Sequence, residues 1–307
     1  MKFVKGHMGG NLIALLHGEE LEFKRELEQC LAVLSGRYLT GHQCGILYPP
    51  ENGGDLKVRI VSCSWRDYIP ACGGLTQVLG KALQESDIGK AYQIEPAKGD
   101  SKLSLLLEFD CGKVPITVEV KNSQAQRVMT DLSSFAGECI AEGIEELVID
   151  NVPITRVGSF MIVSADAINA RYKTTDFERM DAETLNVFAA LQERFQEAID
   201  SPSWIVALYD ENCSKGGDFR ALFPHSVLEG HIEAACGTGS VALALGLANQ
   251  RRGNEFTFNF ETGGEAVLGG SEMTTVNLDK AGQEGCSALF SHNNVEILIS
   301  GHFPTKP

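Results

Sequence analysis

Hydrophobic and polar positions recur along this chain with two periods, and together they predict many strands and a few helices. Leu56, Val58, Ile60 and Ser62 alternate with Lys57, Arg59, Val61 and Cys63, the period-two signature of a strand with two unlike faces. Phe256-Thr257-Phe258-Asn259-Phe260 alternates in the same way. Leu103 to Phe109 and Val114 to Val120 flank Asp110-Cys111-Gly112-Lys113, which predicts a hairpin. Gly41 to Tyr48 leads into another strand and ends at the turn-forming run Pro49 to Gly54. Phe3 to Leu16 reads as one strand interrupted by Gly6-His7-Met8-Gly9-Gly10-Asn11, and Thr155 to Ala165 as one strand with Gly158-Ser159 in its middle. Such glycine breaks predict a bulge or a close approach of backbone to ligand. Leu147 to Asp150, Trp204 to Tyr209, Phe219 to Phe223 and Val295 to Ser300 are further strands. Helical spacing places Phe23, Leu27, Leu31 and Leu34 on one face of Glu20 to Ser35, and Leu185, Phe188, Ala189 and Phe195 on one face of Ala182 to Ile199.

Two other segments are rich in small and aliphatic residues and read as buried helices. Ala71-Cys72-Gly73-Gly74 heads the first, which continues to Leu83; Ala235-Cys236-Gly237-Thr238-Gly239 heads the second, which runs to the basic pair Arg251-Arg252 and Gly253. Each half follows one order: strand, helix, strands, Ala-Cys-Gly helix, strands. That is internal pseudo-symmetry at domain scale. The polar patch Asp131-Leu132-Ser133-Ser134 is the best junction, giving an N-terminal half over 1–132 and a C-terminal half over 133–301.

A helix start carries unpaired N–H groups and the positive end of the helix dipole. A cysteine there has a lowered pKa, and glycines after it let the N–H groups approach a carboxylate. Two such starts, one from each half, would bring one thiol each to a shared cleft. The plainer reading is a pair of buried structural thiols, since cysteine is among the most buried residue types. Asn11 both donates and accepts, which suits the carboxylate and ammonium of an amino acid, and also suits a turn.

The remaining composition narrows the function classes. With 307 residues the chain has room for two cores, and a net charge of −15 argues against nucleic acid as a partner. Nine cysteines, an odd number without a C-x-x-C pair, fit neither a disulfide framework nor a zinc ribbon. No run approaches the length of a membrane span, and Met1 to His7 lacks the apolar core of a signal peptide. The expectation is a reduced, cytoplasmic protein without a membrane partner. His225, Glu229, His231 and Glu233 match no familiar metal spacing, so no metal is assigned. No phosphate loop or dinucleotide fingerprint is present, and no cofactor is expected.

On these residues the chain resembles the diaminopimelate epimerase-like superfamily, which includes cofactor-independent amino-acid racemases. Phe3 to Asn11 is similar to that family's N-terminal strand, and Gln43 in His42-Gln43-Cys44-Gly45 to a glutamine at its active-site edge. The Cys72 and Cys236 motifs match its two catalytic cysteines, and Thr262-Gly263-Gly264-Glu265 its downstream turn. The chain departs from the family in four places. Gly74 replaces an asparagine, and Ser62 falls where another asparagine is usual. Gly158-Ser159-Phe160 occupies an asparagine-bearing turn. Phe223 to His231 lacks the arginine that holds the far end of diaminopimelate, and Leu222 to Gly239 is closer to the histidine racemases of metallophore biosynthesis.

The resemblance implies an α+β fold of two pseudo-symmetric α/β domains, each a curved mixed sheet around a central helix, with the tail 302–307 completing the first. It implies a two-base mechanism: Cys72 and Cys236 exchange a proton with the α-carbon of a small amino-acid or carboxylate substrate. Asn11, Gln43, Ser62, Gly73, Gly74, Gly237 and Thr238 would hold that substrate. A homodimer is a candidate assembly. The alternatives are an isomerase of the same fold that shifts a proton in an unsaturated carboxylic acid, and a non-catalytic amino-acid-binding relative.

Overall fold

A computed structural model describes residues 1–172, 190, 193–195, 197–198, 205–223, 235–262, 272–282 and 285–303. The chain forms two units, one of Met1–Asp131 with Ser291–Pro307 and one of Leu132–Phe290.

The first unit starts with an antiparallel hairpin, β1 (Lys2–Met8) and β2 (Asn11–His17), in which Met8 stands opposite Asn11. Gly9 and Gly10 make the two-residue turn with φ of 55° and 86°, the left-handed pair that a type I′ hairpin requires. The single broken strand expected over Phe3 to Leu16 is therefore two strands. Both are buried on both faces, so their joint apolar run hides the reversal. β2 runs parallel to β3 (Gln43–Tyr48), and β3 antiparallel to β4 (Leu56–Ser62). β4 pairs with the short β5 (Asp67–Ile69) and, in parallel, with β6 (Ser101–Phe109). The expected hairpin follows as β6 and β7 (Gly112–Lys121), and β8 (Gln124–Asp131) extends it. A closing strand, Val295–His302, lies antiparallel on β1. The segment that returns to the first unit thus begins at Ser291, so 291–301 does not belong with the second half.

Helix α1 (Glu26–Leu34) buries Glu26, Gln29, Cys30, Val33 and Leu34. Its inward face matches the one the apolar spacing proposed only in part: Leu34 is buried, Leu27 and Leu31 are partly buried, and Phe23, ahead of the helix, is 86% exposed. The reason is a buried carboxylate. Glu26 accepts hydrogen bonds from the hydroxyls of Tyr48 and Tyr68, and Arg59 Nη1 donates to it at 2.5 Å. A satisfied buried charge reads as a surface position in a hydrophobic pattern. Helix α2 (Gly73–Glu85) is buried nearly all round and packs against β1, β2, β7, β8 and the closing strand. It is the central helix of its unit.

The second unit repeats this plan. After α3 (Ser133–Glu142) and β9 (Ile144–Ile149), the strands β10 (Val152–Val157) and β11 (Phe160–Ser164) form a hairpin turned by Gly158-Ser159. The strand expected over Thr155 to Ala165 is again two, for the same reason as before. α4 (Ala165–Tyr172) precedes β12 (Ile205–Asp210), which runs parallel to β11 and antiparallel to β13 (Phe219–Leu222). Then come α5 (Gly237–Asn249) and β14 (Glu255–Thr262), which is parallel to β13 and antiparallel to β15 (Met273–Gly282). β16 (Gly285–His292) leads back to the first unit. The sequence of pairings from the β10–β11 hairpin to β15 matches that from the β1–β2 hairpin to β7. α5 is buried along almost its whole length and packs against β10, β11, β12, β14 and β15.

The architecture is α+β, with one buried helix inside a mixed sheet in each unit. Most of the helix expected over Ala182 to Ile199 lies outside the described residues; Phe195 is fully buried beside Met161, Ile168 and Leu208. Among the described residues no helix is long and apolar enough to cross a membrane.

Candidate functional site

The two cysteines occupy one local structure in both units. Cys72 is the N-cap of α2 and Cys236 the N-cap of α5, each in extended backbone conformation ahead of a helix of 13 residues. Cys72 Sγ accepts the N–H of Leu75 at 3.3 Å, and Cys236 Sγ that of Gly239 at 3.4 Å. A sulfur in the N-cap role takes the place usually filled by a serine or aspartate oxygen, so it sits in the positive field of the helix end. Each cysteine is 7% exposed. The helical N–H groups ahead of the bonded one, those of Gly73 and Gly74 in α2 and of Gly237 and Thr238 in α5, have no acceptor inside their own helix.

Around Cys72 the sheet brings together most of the predicted residues of its half. Cys72 Sγ lies 2.8 Å from Gln43 Oε1, to which the thiol donates. Gln43 starts β3, directly opposite Ser62 on β4, so the two side chains share a face. Ser62 Oγ accepts the N–H of Trp65 at 3.5 Å. Asn11 Nδ2 donates to Gln43 Oε1 at 3.5 Å, and Asn11 Oδ1 lies 3.2 Å from His42 Nδ1. Gly74 completes the cluster through its lack of a side chain: a Cβ there would stand 3.2 Å from both Asn11 Nδ2 and Met8 Cε.

His42 escaped the sequence reading. Its Nδ1 receives the Leu12 N–H at 3.2 Å, so it holds the second residue of β2, next to Asn11. Adjacency to Gln43 was its only signal.

Beside Cys236 stands Thr238, whose Oγ1 is 3.6 Å from Sγ. Gly239 allows Phe223 to close on the first turn, because a Cβ at that position would meet the ring at 2.6 Å. Gly158-Ser159 is a hairpin turn in this unit. Of the remaining residues singled out in the sequence, Thr262 ends β14, whereas Gly263, Gly264, Glu265, His225, Glu229, His231 and Glu233 lie outside the described residues.

Several other cysteines are pushed away from reactivity. Burial raises Cys139 to about 12 and Cys213 to about 11, and also raises Cys286. A hydrogen bond with Cys30, together with burial, raises Cys44. All nine cysteines are thiols. No group of three or more potential metal ligands is found among the described residues.

No protein-family model matches the chain, and no curated protein matches it in sequence. Solved structures do match in fold. A hydroxyproline epimerase from Agrobacterium vitis with bound trans-4-hydroxy-L-proline is 14% identical, covers 98% of this chain and 90% of its own, and gives a TM-score of 0.65. A phenazine biosynthesis protein of the PhzF family from Bacillus anthracis is 12% identical over 98% of both chains, with a TM-score of 0.63. A methylitaconate-delta-isomerase is 15% identical over 98% of this chain and 94% of its own, with a TM-score of 0.58.

Proposed function

We propose that this chain, whose fold is that of the diaminopimelate epimerase-like superfamily, is a cofactor-independent racemase or epimerase that inverts the α-carbon of an amino acid with two cysteine bases. The observation that carries the proposal is the repeated N-cap: in each unit a thiol replaces the usual capping oxygen and leaves two glycine- or threonine-borne N–H groups beside it.

In the proposed reaction one cysteine, as thiolate, takes the α-proton onto sulfur. The other, as thiol, gives its proton to the opposite face of the same carbon. The electron pair left between these steps spreads into the substrate carboxylate, whose charge rises. N–H groups of Gly73, Gly74, Gly237 and Thr238 would meet that charge where water is excluded, the condition under which such donors act most strongly. Asn11, Gln43 and Ser62 would orient the amino group and carboxylate. After turnover the thiol and thiolate have exchanged places, and proton exchange with solvent restores them.

The test is α-proton exchange in heavy water under reducing conditions, run over the twenty L-amino acids and diaminopimelate. A substrate should exchange with the native chain, and Cys72→Ser or Cys236→Ser should abolish exchange. Full exchange in both variants overturns the reading.

The methylitaconate isomerase likeness keeps a second reading in play, in which the same two thiols move a proton along an unsaturated acid. That enzyme would shift a double bond and leave every amino acid unexchanged. A non-catalytic relative would bind an amino acid tightly without exchanging its α-proton.

A further inference from the structure

A chain of buried hydrogen bonds ends on the first peptide of α2, and its direction is fixed by the backbone. Gln77 Oε1 accepts the N–H of His292 at 3.2 Å. A backbone nitrogen can only donate, so the amide orientation of Gln77 is settled and its Nε2 faces the other way. There Nε2 donates to Thr130 Oγ1 at 2.7 Å. Thr130 Oγ1 and Thr76 Oγ1 are 2.6 Å apart, and Thr76 Oγ1 donates to the carbonyl of Gly73 at 2.7 Å. With the proton of Thr76 committed to Gly73, the proton between the two hydroxyls belongs to Thr130. Every donor in the series thus points the same way, from His292 N–H to Gly73 C=O. Gln77 and Thr130 are 0% exposed and Thr76 2%, so no water competes along the path.

We infer that Thr76, Gln77 and Thr130 are positioning residues that polarise the Gly73–Gly74 peptide and thereby strengthen the Gly74 N–H as a donor to the substrate carboxylate. The inference rests on the reading of α2 as a carboxylate-binding helix start. Drawing electron density toward the Gly73 oxygen leaves the peptide nitrogen poorer and its hydrogen more positive. Aligned hydrogen bonds reinforce one another in this way where the dielectric is low. The gain matters most in the transition state, when the carboxylate carries the charge of the lost proton. The relay also has a second anchor. Asn294, two residues beyond His292, accepts the Gly9 N–H at 3.1 Å, so the returning chain holds both the Gly9-Gly10 turn before Asn11 and the start of the Cys72 helix.

The test compares Thr130→Val, which removes the hydroxyl at nearly constant volume, with Thr130→Ser, which keeps it. One arm reads the Gly74 backbone ¹⁵N resonance of the full chain without substrate, a signal sensitive to hydrogen bonding at the preceding carbonyl. It should move in Thr130→Val and return in Thr130→Ser; no movement in a folded Thr130→Val chain overturns the relay. The other arm reads α-proton exchange of the substrate found in the heavy-water survey. kcat should fall about tenfold in Thr130→Val with little change in KM, and Thr130→Ser should recover it. A shifted Gly74 signal with unchanged kcat overturns the catalytic role of the polarisation. Should the native chain exchange no amino acid, the functional reading fails, while the resonance arm still decides whether the relay exists.

Discussion

Gly74 shows what one missing side chain does at the proposed site. Its backbone is ordinary helix, so an alanine is accepted there, and Gly→Ala at such a position commonly gains up to about 1 kcal/mol. The new Cβ would press on Asn11 Nδ2 and Met8 Cε at 3.2 Å; the methyl ends a flexible side chain, whereas the amide is tied to Gln43, so its displacement is what the proposed site would feel. Gly74→Ala should therefore keep a melting temperature within about 3 °C of the native chain, while exchange activity falls about tenfold. An unchanged rate would separate Asn11 from the reaction. His292 gives a second outcome at this scale. Burial, opposed by the Asn294 carbonyl 3.1 Å from Nδ1 and aided by the neighbouring His7, lowers its pKa to about 4. The unfolded chain, with a value near 6.5, then binds the proton more readily. Stability is full above about pH 6.5 and declines as the pH falls toward 4, by about 3 kcal/mol in all. His292→Asn keeps an acceptor for the Asn294 N–H but does not titrate, so urea unfolding of that variant should lose that much less between pH 6.5 and 4. The clustering of Asn11, Gln43 and Cys72, and the helix-start position of both cysteines, were legible in the sequence because each residue sits in a short motif. His42, Gln77 and Thr130 were not, since each acts through a partner far away in sequence.

Corresponding loops in the two units are held by corresponding carboxylates. Glu108 on β6 accepts the N–H groups of Glu51, Asn52 and Gly54, and Glu261 on β14 those of Ser214, Lys215 and Gly217. The Glu51 N–H foremost, then those of Gly54 and Asn52, hold Glu108 below the usual carboxylate range. For Glu261 burial pushes upward, but its three N–H donors outweigh it and the net shift is also downward. With both folded values depressed, these contacts are at full strength above the ordinary carboxylate pKa and weaken as the pH falls through the folded values. Glu108→Gln or Glu261→Gln should lower the melting temperature at pH 7 by about 5 °C and flatten its decline below about pH 4. A decline as steep as the native one would show that other groups govern acid unfolding. No sequence pattern marks these two residues, because a carboxylate serving backbone donors looks like any surface glutamate. The hairpins at Gly9-Gly10 and Gly158-Ser159 were half legible: the glycine break was visible, but apolar residues on both faces of both strands erased the change of direction. The β6–β7 hairpin was fully legible because its faces alternate.

The duplication belongs to the whole chain, and it was the most legible feature of all. Two Ala-Cys-Gly triplets at matching places in the order of elements led to two units with the same strand pairings and the same thiol-capped buried helix. The later part of the plan was obscured by the return of the chain at Ser291, a long-range pairing of Val295–His302 with β1 that local spacing does not encode. A duplicated thiol would suit the proposed racemisation, because inversion needs a proton removed from one face and supplied to the other. This makes the isotope pattern diagnostic. If the proposed reaction holds and an L-substrate turns over in heavy water, the thiolate that takes the α-proton retains it as the other thiol delivers deuterium. The D-product should therefore be deuterated from the first turnovers, while recovered L-substrate stays protiated at low conversion. Starting from the D-substrate, the pattern should reverse. Early deuterium in recovered substrate at the same rate as in product would mean that one base serves both faces, and the second cysteine would then need another explanation. Mass spectrometry of the two enantiomers at less than about one-tenth conversion distinguishes the cases, since proton return to the starting face is suppressed when each base holds one side.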